Sequence, residues 1–323
     1  GVCRPLPMSA LTTVIRDHPT PDPQPAVAAV VEDLRARFPA AMVAVLYYGS
    51  CLRLGDPTDG VIDLYVVVRD YRAAFDTLGR RLIAGVLPPT VGYLETPWKS
   101  GVIRTKYAVI SLRDFRRGTS PRWFHSYLWG RFSQPCVVLD AQDEDTRSRL
   151  EDCLGRAVRT LLDRTLPLCP ARATSRELWS VALGASYRAE LRPESPGRAE
   201  EIVAADAGYY AALTRAYAAT CGAGRLVPPA DERADGRYEV RVSGWARRRC
   251  RVAWFLRRLA GKFLSTGRWF KAAATFEGGI DYAVWKLERH TGHKIVVSDK
   301  LRRRPWLYAW GEIIRLYRSG TLR

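Results

Sequence analysis

The chain has 323 residues, enough for a sizeable core and two domains, and its 47% hydrophobic and 26% charged residues are typical of a globular protein. Its seven cysteines form no C-x-x-C pair, so the usual structural zinc and thioredoxin-type motifs are excluded. No apolar run approaches the ~18 residues of a membrane-spanning helix.

The charge balance is strongly basic and unevenly distributed. Lys and Arg number 51 against 33 Asp and Glu, a net charge of +18. Residues 241–323 hold 20 of the basic and 5 of the acidic side chains, so this segment alone carries +15. Such a segment favours a polyanionic partner, either nucleic acid or an anionic membrane, although a solvated basic surface would have the same composition.

The predicted elements begin with an amphipathic helix over residues 26–38. Two short β-branched apolar runs follow, at 43–48 and 61–68, and both predict buried strands. Gly49-Ser50 ends the first run, and Asp63 lies inside the second. Because an unpaired buried charge is costly, Asp63 is expected at the exposed end of a sheet or beside a cation.

The remaining elements follow from the same periodicities. Helices are predicted at 71–83, 123–134, 144–163, 175–190 and 199–220, and strands at 91–94, 102–111 and 136–140. In strand 102–111, alternation places Arg104 and Lys106 on one face. That face meets solvent or an anion.

This order predicts an α/β (α+β) fold, with a mixed sheet flanked by helices. A first domain spans 26–165, a helical domain spans 166–240, and a basic, Trp-rich amphipathic region spans 241–323. The loop around Pro167 and Pro170 marks the first boundary.

Residues 245–263 interleave Trp and Arg at helical spacing. This pattern suits a membrane interface, where indole rings lie among the headgroups and Arg meets lipid phosphate. A helical subdomain with its own aromatic core is the alternative. No zinc-finger or RNP signature points to nucleic acid, so a nucleic-acid partner is not expected.

The stretch from Gly49-Ser50 to Asp63 has the composition of a phosphate cradle beside a metal ligand. It resembles the nucleotidyltransferase superfamily, whose signature is a Gly-Ser turn followed by an Asp-x-Asp or Asp-x-Glu pair on the next strand. Here the pair is incomplete, because Tyr65 stands at the second position.

Several further motifs resemble the mitochondrial-type CDP-diacylglycerol synthases, the family of the translocator assembly and maintenance protein. The matching stretches, in chain order, are Tyr48-Gly49-Ser50-Cys51, Asp63-Leu64-Tyr65-Val66, Lys106-Tyr107-Ala108-Val109-Ile110, Gly130-Arg131 with Pro135, Ser186-Tyr187 with Glu190 and Arg192, and, loosely, Lys271 with Thr275. Cys51, Ala108 and Ala189 replace family glycines, and Glu190 replaces an Asp.

The resemblance implies a phosphatidate cytidylyltransferase, which transfers a cytidylyl group from CTP to phosphatidic acid with Mg²⁺. The expected roles are catalysis by Asp63 and Lys106, nucleotide binding by Gly49, Ser50, Arg131 and Tyr187, metal binding by Asp63 and Glu190, and lipid-phosphate or membrane contact by Lys271, Arg248 and Arg257. The expected location is peripheral, on the cytoplasmic face of a bacterial inner membrane, or on the mitochondrial inner membrane in a eukaryote.

Two alternatives stay open. One is a nucleotidyltransferase that acts on another small-molecule or lipid phosphate. The other is a catalytically inactive module that binds anionic lipid or nucleic acid, which the missing second acid favours. Candidates for that acid are Asp56, Asp59 and Glu190. His125 is expected to be structural.

Overall fold

The computed structural model describes residues 9–19, 24–54, 60–99, 101–190, 197–229 and 236–275. The helices within these ranges are α1 (Ala10–Arg16), α2 (Pro25–Arg37), α3 (Ser50–Leu54), α4 (Tyr71–Ala74), α5 (Leu78–Val86), α6 (Leu112–Gly118), α7 (Glu144–Thr165), α8 (Ser175–Arg188), α9 (Arg198–Ala205), α10 (Ala207–Ala219) and α11 (Gly244–Thr275). The strands are β1 (Met42–Tyr48), β2 (Val61–Val68), β3 (Thr90–Trp98), β4 (Gly101–Ser111), β5 (Cys136–Ala141), β6 (Arg172–Thr174), β7 (Leu226–Val227) and β8 (Arg237–Val240).

A five-stranded mixed sheet forms the centre, in the order β3-β4-β2-β1-β5. Strands β2 and β4 are parallel, and the other neighbours are antiparallel. Apart from Asp63 and the first residue, every side chain of β2 is buried, because helices cover both faces of the sheet. The predicted mixed sheet with flanking helices is confirmed.

Each face of the sheet has its own hydrophobic cluster. On one face, Val30 and Leu34 of α2 pack with Leu64 and Val66 of β2. The other cluster begins with Leu11 of α1, runs under the sheet to α7, and continues through α8 and α10 to α11. This second core therefore crosses the predicted boundary near residue 165 without interruption.

A small second sheet, β6-β8-β7, lies beside α8, which packs against α9 and α10. Its strands have two to four residues, too few for a period of two to be recognised in the sequence. Helix α8 begins at a capping box formed by Thr174 and Glu177. The rings of Trp179 and Tyr210, 4.8 Å apart, join α8 to α10 in the core.

Three predicted helices are wrong in detail. The helix at 71–83 is divided, because Thr77 caps a new helix, α5. The helix at 199–220 is divided at Asp206, which accepts from the amide of Tyr209. The segment 123–134 forms turns, and there Gly130 lies so close to Ser186 that an added Cβ would be 2.0 Å from its Oγ. Tertiary packing thus overrides its helical spacing.

Helix α11 extends twelve residues beyond the predicted 245–263. One side is buried and includes Cys250, Trp254, Arg257 and Ser265. The part of the basic region after residue 275 lies outside the described residues. In the described parts of the chain, no helix combines the length and the hydropathy that crossing a bilayer requires.

Candidate functional site

The sheet places the predicted acid and the predicted cation side by side. Asp63 on β2 pairs with Lys106 on β4 and with Tyr48 on β1. Directly paired residues project to the same face, and adjacent strands lie about 4.8 Å apart. Asp63 and Lys106 are both half-buried, although their neighbours along each strand are buried. The three side chains form one polar row across the sheet.

The turn after β1 lies directly against this row. Gly49 has φ +97°, and a Cβ added to it would be 2.8 Å from Oδ2 of Asp63. Only glycine suits both the backbone conformation and the space. Ser50 begins α3 immediately afterwards, and the thiol of Cys51 donates to the carbonyl of Val61 at 3.2 Å. The structure therefore brings together Gly49, Ser50 and Asp63.

Arg131 joins the row from the turn-rich segment below the sheet. Its Nη1 donates to the hydroxyl of Tyr48 at 3.3 Å, and its guanidinium lies 4.8 Å from the centre of the Tyr127 ring. Burial raises the pKa of Tyr48, with Asp63 adding to the rise and Arg131 opposing it. Asp63 and Arg131 thus act on the same hydroxyl group.

Sequence reasoning missed Arg268, which reaches this cluster from α11. Its guanidinium lies 4.0 Å from the centre of the Tyr127 ring. Its Nε and Nη2, and Nε of Arg131, are buried with no hydrogen-bond partner among the described residues. Burial lowers the pKa of Arg268, and Tyr127 opposes that shift. Buried unpaired guanidinium donors are costly unless an anion accepts from them.

The pKa of Tyr127 reflects an excess of positive over negative charge around its hydroxyl. Burial raises the pKa of its hydroxyl, but Arg131 and Arg268 outweigh burial, with a smaller contribution from Lys106, and the net pKa is below the usual value. Glu190 is the opposing negative charge on this hydroxyl. With Arg131 and Arg268 both against the Tyr127 ring, the charge of this cluster favours a negatively charged ligand.

Tyr187 and Glu190 both contact the turn that carries Arg131. The Tyr187 hydroxyl donates to Oε1 of Gln134 at 3.1 Å, which ties α8 to the turn that carries Arg131. Glu190, with only 6% of its side chain exposed, lies 3.7 Å from Nη2 of Arg131. The structure therefore gives Glu190 a cationic neighbour. The described residues contain no group of three or more Asp, Glu, His or Cys that could hold a metal ion.

The carboxylate of Asp63 has the chemistry of a magnesium ligand. Mg²⁺ takes oxygen ligands and is commonly held by one or two carboxylates together with substrate phosphates. The absence of a side chain at Gly49 leaves space at Oδ2 of Asp63 that a Cβ would fill. Asp56 and Asp59, the other candidate ligands, lie outside the described residues.

Of the three predicted lipid-contact residues, one is exposed and two are buried or half-buried. Arg248 is exposed on the outer side of α11. Arg257 is buried, and its Nε donates to the carbonyl of Phe124 at 2.9 Å, so its position does not suit membrane contact. Lys271 donates to the carbonyls of Leu87 and Pro89, and burial, assisted by Arg268, lowers its pKa to about 8.

His125 is half-buried beside Trp123. Its Nδ1 accepts from Nε1 of Trp123 at 3.0 Å. Burial, assisted by the charge of Arg268, lowers its pKa to about 3. The unfolded chain binds the His125 proton below pH ~6.5, whereas the folded chain does so only near pH 3. Folding therefore becomes less favourable as pH falls through this window.

We expect His125→Asn, which keeps an acceptor for Trp123, to remove the loss of stability that His125 causes as pH falls. The free energy of unfolding, measured by urea denaturation between pH 7 and pH 4, should fall less steeply in the variant than in the wild type. Parallel pH profiles for the two proteins would contradict the assignment.

No protein-family model matches the chain. A comparison with curated proteins likewise finds no match.

Proposed function

We propose that the protein transfers the cytidylyl group of CTP to phosphatidic acid, forming CDP-diacylglycerol and pyrophosphate. The observation that carries the proposal is the contact between the Gly49 turn and Asp63, in register with Lys106. Arg131 and Arg268 add buried cationic donors that a triphosphate would satisfy. The base and the acceptor come from the motif resemblance and are part of the proposal.

The reaction needs few groups from the protein. An oxygen of the acceptor phosphate attacks the α-phosphorus of CTP, a P–O bond forms, and the bond to the pyrophosphate oxygen breaks. Mg²⁺ bound at Asp63 would neutralise charge on the phosphate oxygens. Lys106, Arg131 and Arg268 bind and orient the triphosphate. Because the acceptor phosphate is ionised at neutral pH, the reaction needs no strong base.

Pyrophosphate release provides the test. With CTP and Mg²⁺ we expect release to depend on phosphatidic acid, and to be much slower with ATP or without the lipid. Release that is equally fast without any acceptor would indicate hydrolysis and oppose the proposal.

The outer side of α11 suits an acceptor that lies in a bilayer. Six large apolar side chains on it are 49–80% exposed: Trp245, Val252, Phe255, Leu256, Leu259 and Phe263. At 3.6 residues per turn they span an arc of roughly 100°, opposite the buried side of the helix. Arg248, Arg249, Arg251, Arg258 and Lys262 are also exposed on this helix. Apolar side chains flanked by cations are the features of an interfacial helix.

Replacing Phe255 and Leu259 by serine is expected to weaken binding to vesicles of phosphatidylglycerol about tenfold or more, because each apolar side chain contributes on the order of 1 kcal/mol when it enters the interface. Both side chains are 54% exposed, so the fold should be unaffected. Vesicle sedimentation measures the change.

Leu78→Ser combined with Leu82→Ser is the matched control. These leucines of α5 are 68% and 60% exposed. An equal loss of binding in the control would show that affinity follows total exposed apolar area, and it would contradict the assignment to α11.

A further inference from the structure

A second concentration of positive charge lies at the far end of β4 from the Asp63 site. A groove of about 660 Å³ is lined there by five arginines, with Ser120 and Pro121 completing the lining. The arginines are Arg113, Arg116, Arg117, Arg122 and Arg156. Its volume is within the roughly 300–1,000 Å³ of small-ligand sites.

Local structure explains why the arginines converge. Ser111 caps α6, and the helix buries Asp114 and Phe115 in the protein. The other side of α6 exposes Arg113, Arg116 and Arg117. The carboxylate of Asp114 is turned away from the groove and accepts from the hydroxyl of Tyr71 at 2.9 Å. The acid of α6 therefore does not neutralise its arginines.

Within the described parts of the chain, none of the five arginines forms a salt bridge, and no Asp or Glu lines the groove. Arg117 lies 5.3 Å from the centre of the Trp123 ring, and Nη2 of Arg156 contacts the sulfur of Cys153 at 3.1 Å. Five like charges around one groove without a counter-charge produce a positive potential that attracts an anion. Arginine in particular pairs with phosphate through two parallel hydrogen bonds.

The groove is distinct from the Asp63 site. Lys106 is five residues before Ser111 on β4, a distance of about 17 Å along the strand. We propose that the groove binds a ligand with two or more phosphate groups, at a position separate from the Asp63 site. A concave groove accommodates a discrete ligand, whereas the convex outer side of α11 suits a flat bilayer.

Calorimetric titration with inorganic tripolyphosphate tests the proposal. Arg116→Gln combined with Arg117→Gln should weaken one binding event of the wild-type protein by about tenfold or more, because charge-assisted phosphate contacts are removed. Both side chains are exposed, so folding should be unaffected. Arg172→Gln combined with Arg176→Gln is the control, because it removes the same charge from exposed positions outside the groove.

Phosphatidylglycerol vesicles form the second arm and identify the source of the phosphate. If only tripolyphosphate binding depends on Arg116 and Arg117, the ligand is a soluble phosphate compound. If vesicle binding depends on them, and the control keeps it, neighbouring lipid headgroups together supply the phosphates. If both arms show equal binding in the groove variant and the control, the proposal is overturned. Neither arm depends on nucleotidyl transfer, so failure of this proposal and of the proposed function can be distinguished.

Discussion

Asp63→Asn is expected to reduce nucleotidyl transfer by about 10²–10³-fold while leaving the fold intact. Asparagine has nearly the same shape, so it preserves the contact with Gly49. It removes the negative charge that would bind Mg²⁺, and with it the stabilisation of charge that develops during phosphoryl transfer. Pyrophosphate release under saturating CTP measures the effect, and urea denaturation checks the fold.

Asp140→Asn is the control for this variant. Asp140 lies on β5 of the same sheet, and its carboxylate accepts from Arg35 at 2.8 Å, outside the Asp63 cluster. We expect it to change transfer less than about twofold, since partly exposed ion pairs contribute little. Equal activity of wild type and Asp63→Asn would exclude Asp63 from the reaction.

Gly261→Ala is expected to destabilise the protein by about 2 kcal/mol or more, although alanine is the better helix former. A Cβ at position 261 would lie 1.9 Å from the carbonyl oxygen of Ala189, and backbone cannot easily move aside. Ala189 precedes Glu190, which lies beside Arg131. Separating α11 from this point should also withdraw Arg268 from Tyr127, so affinity for CTP should fall together with stability.

Gly267→Ala is the matched substitution in the same helix. Its Cβ would lie 3.3 Å from Cδ2 of Leu87, the flexible end of a side chain. Here the helix preference of alanine should dominate, and a change between neutral and about 1 kcal/mol stabilising is expected. Urea denaturation measures both variants. Equal stabilisation by the two substitutions would contradict the close packing of α11 against Ala189.

The central sheet could be predicted because β2 reads as an apolar, β-branched run that is too short for a helix. Asp63 is recognisable as a candidate for the same reason, since a single acid interrupts that run. Gly49 and Lys106 are also predicted site residues, but their position beside Asp63 depends on the strand order β4-β2-β1, which local patterns do not determine.

Arg268 could not be predicted in the same way. It lies 141 positions after Tyr127, and their contact depends on α11 folding back along the protein. The turn-rich segment 123–134 depends equally on a distant partner, Ser186. For Arg257 a signal existed, since its spacing from Cys250 and Trp254 places it on the buried side of α11. Arginine on an amphipathic helix is usually a surface residue, but the helical position of Arg257 outweighs its residue type.

The most direct test uses CTP that carries radioactive phosphorus at the α-position. The protein is incubated with this CTP, Mg²⁺ and vesicles containing phosphatidic acid, and the distribution of the label is measured. We predict that label enters the lipid phase as CDP-diacylglycerol, with one pyrophosphate released for each label transferred, and that Asp63→Asn prevents both. Transfer of the label to a different phosphate acceptor would show that this acceptor, and not phosphatidic acid, is the substrate. No consumption of nucleotide with any phosphate acceptor would contradict the account and leave a binding module.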